Sequence, residues 1–505
     1  MSDHISAQLL EDYSLITFET LIDPLPKKTA GNLSIPVCGI TCHSKKVRPG
    51  FIFAALPGLK TEGKLFIEEA IDRGAVGILS QDPPPSPWNT QLGWAQVKEP
   101  RKALARLSSN FYGEPSRALK LIGITGTNGK TTLTYLLESI FAAGHQSSGI
   151  IGTINYRYGK NRFTAPTTTP ESADLQELLA TMKSDGVQYV AMEVSSHALS
   201  LDRVSACHFD VACFTNLSQD HLDFHKDLND YFEAKCRLFT DVLQQSEKKT
   251  RFAVLPAPDP WGEKIQKRMP SSVKVLTYGL EAPAQILAEK TSLSSRGIRG
   301  VIKTPRGEVK LVSPLIGEHN LKNMLAATAC AVALEVPLEQ IQKGLEALSL
   351  IPGRLEKIQN NKGIHLFVDY AHTPEALQKA LETLRSITHG RLIVVFGCGG
   401  DRDAKKRPLM GEVAAQGADL ILLTSDNPRT EDPQSIVRQI LAGVTKAEKE
   451  ALVIVDRQEA LKRAVVVAEP GDAVLVAGKG HEDYQIIGTE KRHFSDQEEL
   501  RKILG

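Results

Sequence analysis

The run Leu119-Lys-Leu-Ile-Gly-Ile124 leads directly into Thr125-Gly-Thr-Asn-Gly-Lys-Thr-Thr132. Apolar residues then recur at Leu133, Leu136, Leu137, Ile140 and Phe141. That order reads as a buried strand, a glycine-rich loop and an amphipathic helix. Gly126 and Gly129 leave the backbone N–H groups of the loop, Thr127 and Asn128 included, free to face phosphate oxygens. Lys130 adds a positive charge, and Thr131 offers a hydroxyl to Mg²⁺. Thr132 opens a helix whose positive end points at the anion. The strict GxxxxGK[ST] spacing is not met, because Ile124 occupies the place of its first glycine. Kinases, GTPases, motors and ligases all use such a loop, so the loop alone names no reaction.

Around this unit the chain divides into three parts. Before Gly113–Ser116, Phe51–Leu56 and Val76–Leu79 read as short strands flanking a helical pattern at Phe66, Ile67, Ala70 and Ile71. The proline-rich stretch from Asp82 to Trp88 reads as a loop. After the phosphate loop, strands are expected at 189–192, 211–214 and 252–255, with an alanine-rich helix over 320–334. After Ile351-Pro-Gly353, strands are expected at 365–369, 392–396, 420–424 and 473–477, each followed by a turn and a helical pattern. The expected fold is α/β with a small N-terminal domain (1–115), a central doubly wound, mainly parallel P-loop domain (116–350) and a C-terminal Rossmann-like domain (351–505).

Composition excludes several classes. Lys and Arg total 60 against 59 Asp and Glu, with no basic block, which argues against nucleic acid or an anionic membrane as partner. No uncharged apolar stretch approaches the roughly 18 residues of a membrane span. Seven cysteines are scattered without a CxxC pair, as suits reduced thiols. The N-terminus, with Asp3 and His4, lacks the pattern of a secretory signal, and a cytoplasmic location is expected.

Candidate ligands cluster after two central strands. Glu193 ends one strand, at the edge that faces ligands in doubly wound sheets. Asp220, His221, Asp223 and His225 follow another, and so many ionisable groups past a buried strand are costly unless they bind something. Oxygen and imidazole donors beside a phosphate loop suit Mg²⁺ or Mn²⁺. A helix N-terminus with an Asp cap and exposed histidines fits the second cluster equally well. Lys235 reads only as a lysine on an amphipathic helix.

Further blocks follow in order: Thr167–Ser172 (TTTPES), Glu193–His197 (EVSSH), Asn216–His225 (NLSQDHLDFH), Gly317–Ala327 (GEHNLKNMLAA), Pro352–Glu356 (PGRLE), Asp369–Pro374 (DYAHTP), Gly397–Asp403 (GCGGDRD), Asp426–Arg429 (DNPR) and Ala477–Gln485 (AGKGHEDYQ). With the phosphate loop, this series resembles the Mur ligases, ATP-dependent amide-forming enzymes of peptidoglycan synthesis. Within the family, the DNPR block looks like that of members joining meso-diaminopimelate to UDP-MurNAc-L-Ala-D-Glu. A guanidinium is the natural bidentate partner for the carboxylate that distinguishes diaminopimelate from lysine.

The resemblance implies site roles. Lys130, Glu193, His221 and Lys235 would be catalytic. Two Mg²⁺ ions would be held by Thr131, Glu193, His221 and Lys235, the lysine being carbamylated by CO₂. ATP would meet residues 126–132, Asn320, Arg354 and Asp369. The sugar nucleotide would meet Ser44, Leu59, Lys60, Thr61, Thr168, Thr169, Ser195 and Arg203, although Cys42-His-Ser-Lys45 stands where the family often has Asp-Ser-Arg. Arg402, Asp426, Asn427, Pro428, Arg429, Gly478 and Glu482 would take the amino acid. The implied enzyme is a monomer that forms an acyl phosphate, with a hinge near Ile351–Arg354. A lysine-adding ligase, another ligase of the superfamily, a P-loop phosphotransferase and a nucleotide-binding relative without turnover are the alternatives.

Overall fold

Among the described residues, three main sheets, built from residues 27–97, 120–313 and 356–477, bury the apolar runs. The computed structural model describes residues 16–23, 25–58, 62–221 and 224–505. The first sheet holds five strands in the order Lys27–Ala30, Gly93–Val97, Ala75–Ser80, Phe51–Ala55, Gly39–Thr41. The Pro100–Phe111 helix covers it, packing Leu104, Leu107 and Phe111 against Phe18 and Ile52.

The central sheet has eleven strands. Its middle is parallel, running Lys274–Gly279, Phe252–Pro256, Val211–Phe214, Lys120–Thr125, Tyr189–Glu193, Ser148–Ile151. Helices Lys130–Ala143 and Glu318–Ala333 bury one face of it. Ser172–Ser184 and Leu228–Arg237 pack with the other. Strands with both faces covered must be continuously apolar, which is why Leu121, Ile122 and Ile124 stand next to one another.

Antiparallel strands, which the sequence reading does not contain, extend this sheet at both ends. Asn155–Tyr158 and Asn161–Thr164 turn at Gly159 on one side, and Gly297–Thr304 and Gly307–Ser313 form the edge on the other. Lys303, Arg299 and Arg162 interrupt their apolar pattern, so the period-two signal is weak.

The third sheet runs Glu356–Ile358, His365–Asp369, Ala473–Ala477, Leu392–Phe396, Leu420–Leu423, Leu452–Val453. Helices Pro374–Ile387, Lys406–Gly417 and Pro433–Lys446 cover one face, and Arg457–Val467 with Asp496–Leu504 the other. The motif-bearing loops leave the carboxyl ends of four of its strands, at Asp369, Phe396, Leu423 and Ala477. In doubly wound sheets that edge is where ligands bind. Among the described residues, no helix is long and apolar enough to cross a membrane.

Candidate active site

The phosphate loop joins the Lys120–Thr125 strand to the Lys130–Ala143 helix. Gly126 has φ +143°, and a Cβ there would stand 1.9 Å from Thr215 Oγ1, so a side chain at this position would be strained and would crowd the exit of the Val211–Phe214 strand. The loop is tied to that strand's exit by Thr127 N to Asn216 O at 2.9 Å and Asn128 N to Asn216 Oδ1 at 3.0 Å. Lys130 Nζ folds back to the carbonyls of Gly126 and Thr127 at 2.9 and 2.8 Å. Burial pushes this amine below the ordinary lysine range, and Glu193 partly opposes the effect.

Thr131 Oγ1 donates to Glu193 Oε1 at 2.9 Å. Glu193 also accepts from the backbone and hydroxyl of Thr153, each at 3.0 Å, and Thr153 Oγ1 meets Thr168 Oγ1 at 3.1 Å. Gly152 permits this approach, since a Cβ there would fall 2.4 Å from Glu193 Oε1. Thr169 Oγ1 donates to Glu193 O at 2.9 Å and accepts from Ser195 N at 3.1 Å. Arg203 spans Thr169 O at 2.9 Å and Glu171 at 2.6 Å. Thr131, Glu193, Thr168, Thr169, Ser195 and Arg203 thus form one continuous network.

Lys235 is 1% exposed, and its Nζ donates to Gly126 O at 2.8 Å beneath the loop. Burial first, then Lys130, drive its amine well below the ordinary lysine range. Tyr231 lies against it, with Nζ 4.3 Å from the ring centroid, and also faces His221 at 6.0 Å between ring centroids. Burial pulls His221 down to about 4, leaving a neutral imidazole at neutral pH. Its Nε2 is 3.5 Å from Asp220 Oδ2. A threonine hydroxyl and a carboxylate are hard oxygen donors and fit Mg²⁺. A lysine amine is not such a donor, so Lys235 fits only once converted to a carbamate. Among the described residues, no three His, Cys, Asp or Glu side chains form a metal cluster by themselves.

Between the second and third sheets lies a cleft of about 820 Å³, lined by Asn128, Gly129, Thr132, Asn320, Arg354 and Asp369 among others. Arg354 crosses it, donating to Thr131 Oγ1 at 3.2 Å while its guanidinium sits 4.8 Å from the Tyr370 ring centroid. Asp369 accepts from Leu355 N at 2.6 Å and Ala371 N at 2.8 Å, which anchors the segment after Arg354. Burial raises its carboxyl above the usual range. Asn320 Nδ2 donates to Ile316 O at 2.8 Å.

The third sheet's loops also converge. Arg429, at φ +53°, donates from Nη1 to Gly400 O at 2.6 Å, beside the exposed Arg402. Asn427 is buried and interior in its bonding: Nδ2 donates to Glu482 Oε2 at 2.8 Å, and Oδ1 accepts from Ile486 N at 3.0 Å and Lys479 Nζ at 3.3 Å. Pro428 presents its carbonyl to Glu431 N at 3.1 Å. Burial and Asp426 raise the Glu482 carboxyl. Gly478 has φ +111° and lies against Asp426. Ser44 stands apart, its hydroxyl directed to Glu69 on the first domain. Leu59, Lys60, Thr61 and Asp223 lie outside the described residues.

Sequence reasoning missed Thr153, whose signal is a Gly-Thr pair just past a strand, and Lys479, which lies within Ala477–Gln485. Thr153 meets Glu193 and Thr168, 40 and 15 residues on, and Lys479 meets Asn427, 52 residues back, contacts that only the fold reveals.

Three family models match the chain: "Mur ligase family, catalytic domain" over residues 36–112, "Mur ligase middle domain" over 124–331, and "Mur ligase, glutamate ligase domain" over 353–480. A protein of Geobacter metallireducens named UDP-N-acetylmuramoyl-L-alanyl-D-glutamate--2,6-diaminopimelate ligase is 45% identical over 491 residues, covering 94% of this chain and 95% of the relative. A protein of the same name from Gloeobacter violaceus is 44% identical, covering 93% and 94%. A solved structure bearing that ligase name superposes with a TM-score of 0.69 at 32% identity, covering 97% of this chain and 99% of the other.

Proposed function

The chain belongs to the Mur ligase family, and from that premise we propose that it joins meso-diaminopimelate to the D-Glu carboxylate of UDP-MurNAc-L-Ala-D-Glu with consumption of ATP, in peptidoglycan synthesis in the cytoplasm. The observation that carries this reading is the unbroken chain Thr131–Glu193–Thr153–Thr168, which links the phosphate loop to the TTTPES segment. A carboxylate substrate held on that segment meets the terminal phosphate held on the loop.

Residues 1–115 would hold the uridine end, 116–350 the ATP, and 351–505 the amino acid. The substrate carboxylate attacks the γ-phosphorus of ATP, ADP leaves, and an acyl phosphate forms. The amine of diaminopimelate then attacks the acyl carbon, phosphate departs with one carboxylate oxygen, and the amine loses a proton. Lys130 and the loop N–H groups hold the phosphates in line. Arg354, reaching Thr131 from the third sheet's linker, adds positive charge where the phosphoryl group transfers. Thr131 and Glu193 would hold one Mg²⁺, and His221 with carbamylated Lys235 the other; these ions neutralise crowded phosphate oxygens when bound. Asn320 and Asp369 would face the nucleotide. Arg429 and Arg402 would grip the distal carboxylate of diaminopimelate, with Asp426 and Glu482 beside its ammonium.

The acyl phosphate makes a distinctive demand. With ¹⁸O in the D-Glu carboxylate, one label per turnover appears in inorganic phosphate. Label retained wholly in the peptide would refute the intermediate.

A further inference from the structure

Two loops, 397–403 and 426–431, carry Arg402, Asp426 and Arg429, assigned above to the amino acid, and are pinned by a residue that neither motif contains. Arg407, on the Lys406–Gly417 helix, is 1% exposed, whereas its partner Glu431 is 32% exposed. The guanidinium grips the carboxylate through two parallel bonds, Nη1 to Oε2 and Nη2 to Oε1, both at 2.8 Å. Nη2 also donates to Gly399 O at 3.2 Å, and Nη1 to Gln439 Oε1 at 3.0 Å. Glu431 in turn accepts from Asp401 N at 2.5 Å.

This pair touches both loops at the residues flanking their arginines. Gly399 and Asp401 bracket the turn into Arg402, and Glu431 stands two residues after Arg429. Around it the loops are laced by Gly400 N to Asn427 O at 2.9 Å and Thr430 Oγ1 to Asp401 Oδ1 at 2.7 Å. A Cβ at Gly400 would lie 1.8 Å from Pro428 O, so the backbones are already at their closest approach. A planar fork holds distance and angle together, which an ammonium cannot do. The Arg407 hydrogen bond is the main influence holding the Glu431 carboxyl below the usual carboxylate range.

We infer that Arg407 and Glu431 are positioning residues for amino-acid recognition: their bidentate pair sets the spacing between the Arg402 and Arg429 guanidinium groups. Neither needs to touch the substrate. The inference rests on the reading that these loops bind the amino acid.

The test is steady-state kinetics of the full chain, varying meso-diaminopimelate, ATP and UDP-MurNAc-L-Ala-D-Glu separately. Glu431→Gln keeps size and surface position while removing the charge; Arg407→Lys keeps charge while removing the fork. Both are expected to raise KM for diaminopimelate about tenfold or more, the scale of a broken charge-assisted pair. KM for the other two substrates and saturated kcat should stay within about twofold, as for an effect confined to one substrate's binding. Equal increases in all three KM values, a fall in kcat alone, or wild-type behaviour in Glu431→Gln would overturn the positioning role. If Arg407→Lys does not fold, Glu431→Gln decides alone. A wild-type chain silent with diaminopimelate overturns the functional reading itself, and the positioning role with it.

Discussion

Lys235 Nζ lies 2.8 Å from the carbonyl oxygen of Gly126, joining a buried helix lysine to a phosphate loop 109 residues earlier. Burial holds this amine well below its ordinary range, which favours the neutral form whose lone pair can attack CO₂. A carbamate formed there would be anionic, which in the proposed reading would reverse the residue's electrostatic role beside the nucleotide.

A carbamate carbon signal is therefore expected by ¹³C NMR after equilibration with ¹³CO₂, and it should vanish in Lys235→Arg. Arginine cannot become neutral, so turnover in that variant should fall by about a hundredfold or more. Full activity in Lys235→Arg would sink the carbamate account.

Arg354 links the third sheet's linker to Thr131 at 3.2 Å, and stacking near Tyr370 holds it there. Arg354→Ala should lower kcat by about two orders of magnitude, the usual effect of losing one donor to transition-state charge, with KM for the amino acid little changed. An effect on that KM alone would place Arg354 in the amino-acid site instead.

Arg429 donates from Nη1 to Gly400 O, and in the proposed reading the rest of its fork would take a carboxylate. Arg429→Ala should cost about 2 kcal/mol or more in kcat/KM for diaminopimelate, as expected for a charged hydrogen-bond partner. Arg429→Lys should recover little of it, because the fork is what matters. A preserved preference for diaminopimelate over lysine in Arg429→Ala would contradict the assignment.

His319 provides a stability prediction. Burial, then Lys379, bring it from 6.5 to about 4, so the folded state prefers the neutral ring. As pH falls below 6.5, the unfolded chain binds a proton that the folded chain refuses, and stability declines until about pH 4. At pH 5 the penalty is about 2 kcal/mol by linkage. In urea titrations, His319→Gln should lose less stability than wild type between pH 7 and 5 by that order. Parallel losses in both proteins would remove His319 as the cause.

Parallel strands were legible where burial on both faces leaves an unbroken apolar run, as at Leu392–Phe396 and Ala473–Ala477, whereas Ser148–Ile151 and Lys274–Gly279, parallel too, were missed. The antiparallel strands at 155–164 and 297–313 were not legible, since their exposed positions carry Arg, Lys and Asn, as loops do. Chemistry local to a motif, such as Lys130 and Thr131, could be read directly. Lys235 could not: its helix pattern is ordinary, and its meaning comes from burial under Gly126, a tertiary contact. The resemblance to the Mur ligases supplied what spacing alone did not. Arg407 lies past the end of the Gly397–Asp403 motif, and a residue that acts by spacing two loops leaves no local signature.

The most direct measurement is phosphate release from ATP with Mg²⁺ and UDP-MurNAc-L-Ala-D-Glu, comparing meso-diaminopimelate with L-lysine as the amine. Sustained release only with diaminopimelate, one phosphate per amide formed, is the predicted result. Equal release with lysine would contradict the arginine-based specificity, and no amine-dependent release with either would contradict the ligase reading itself.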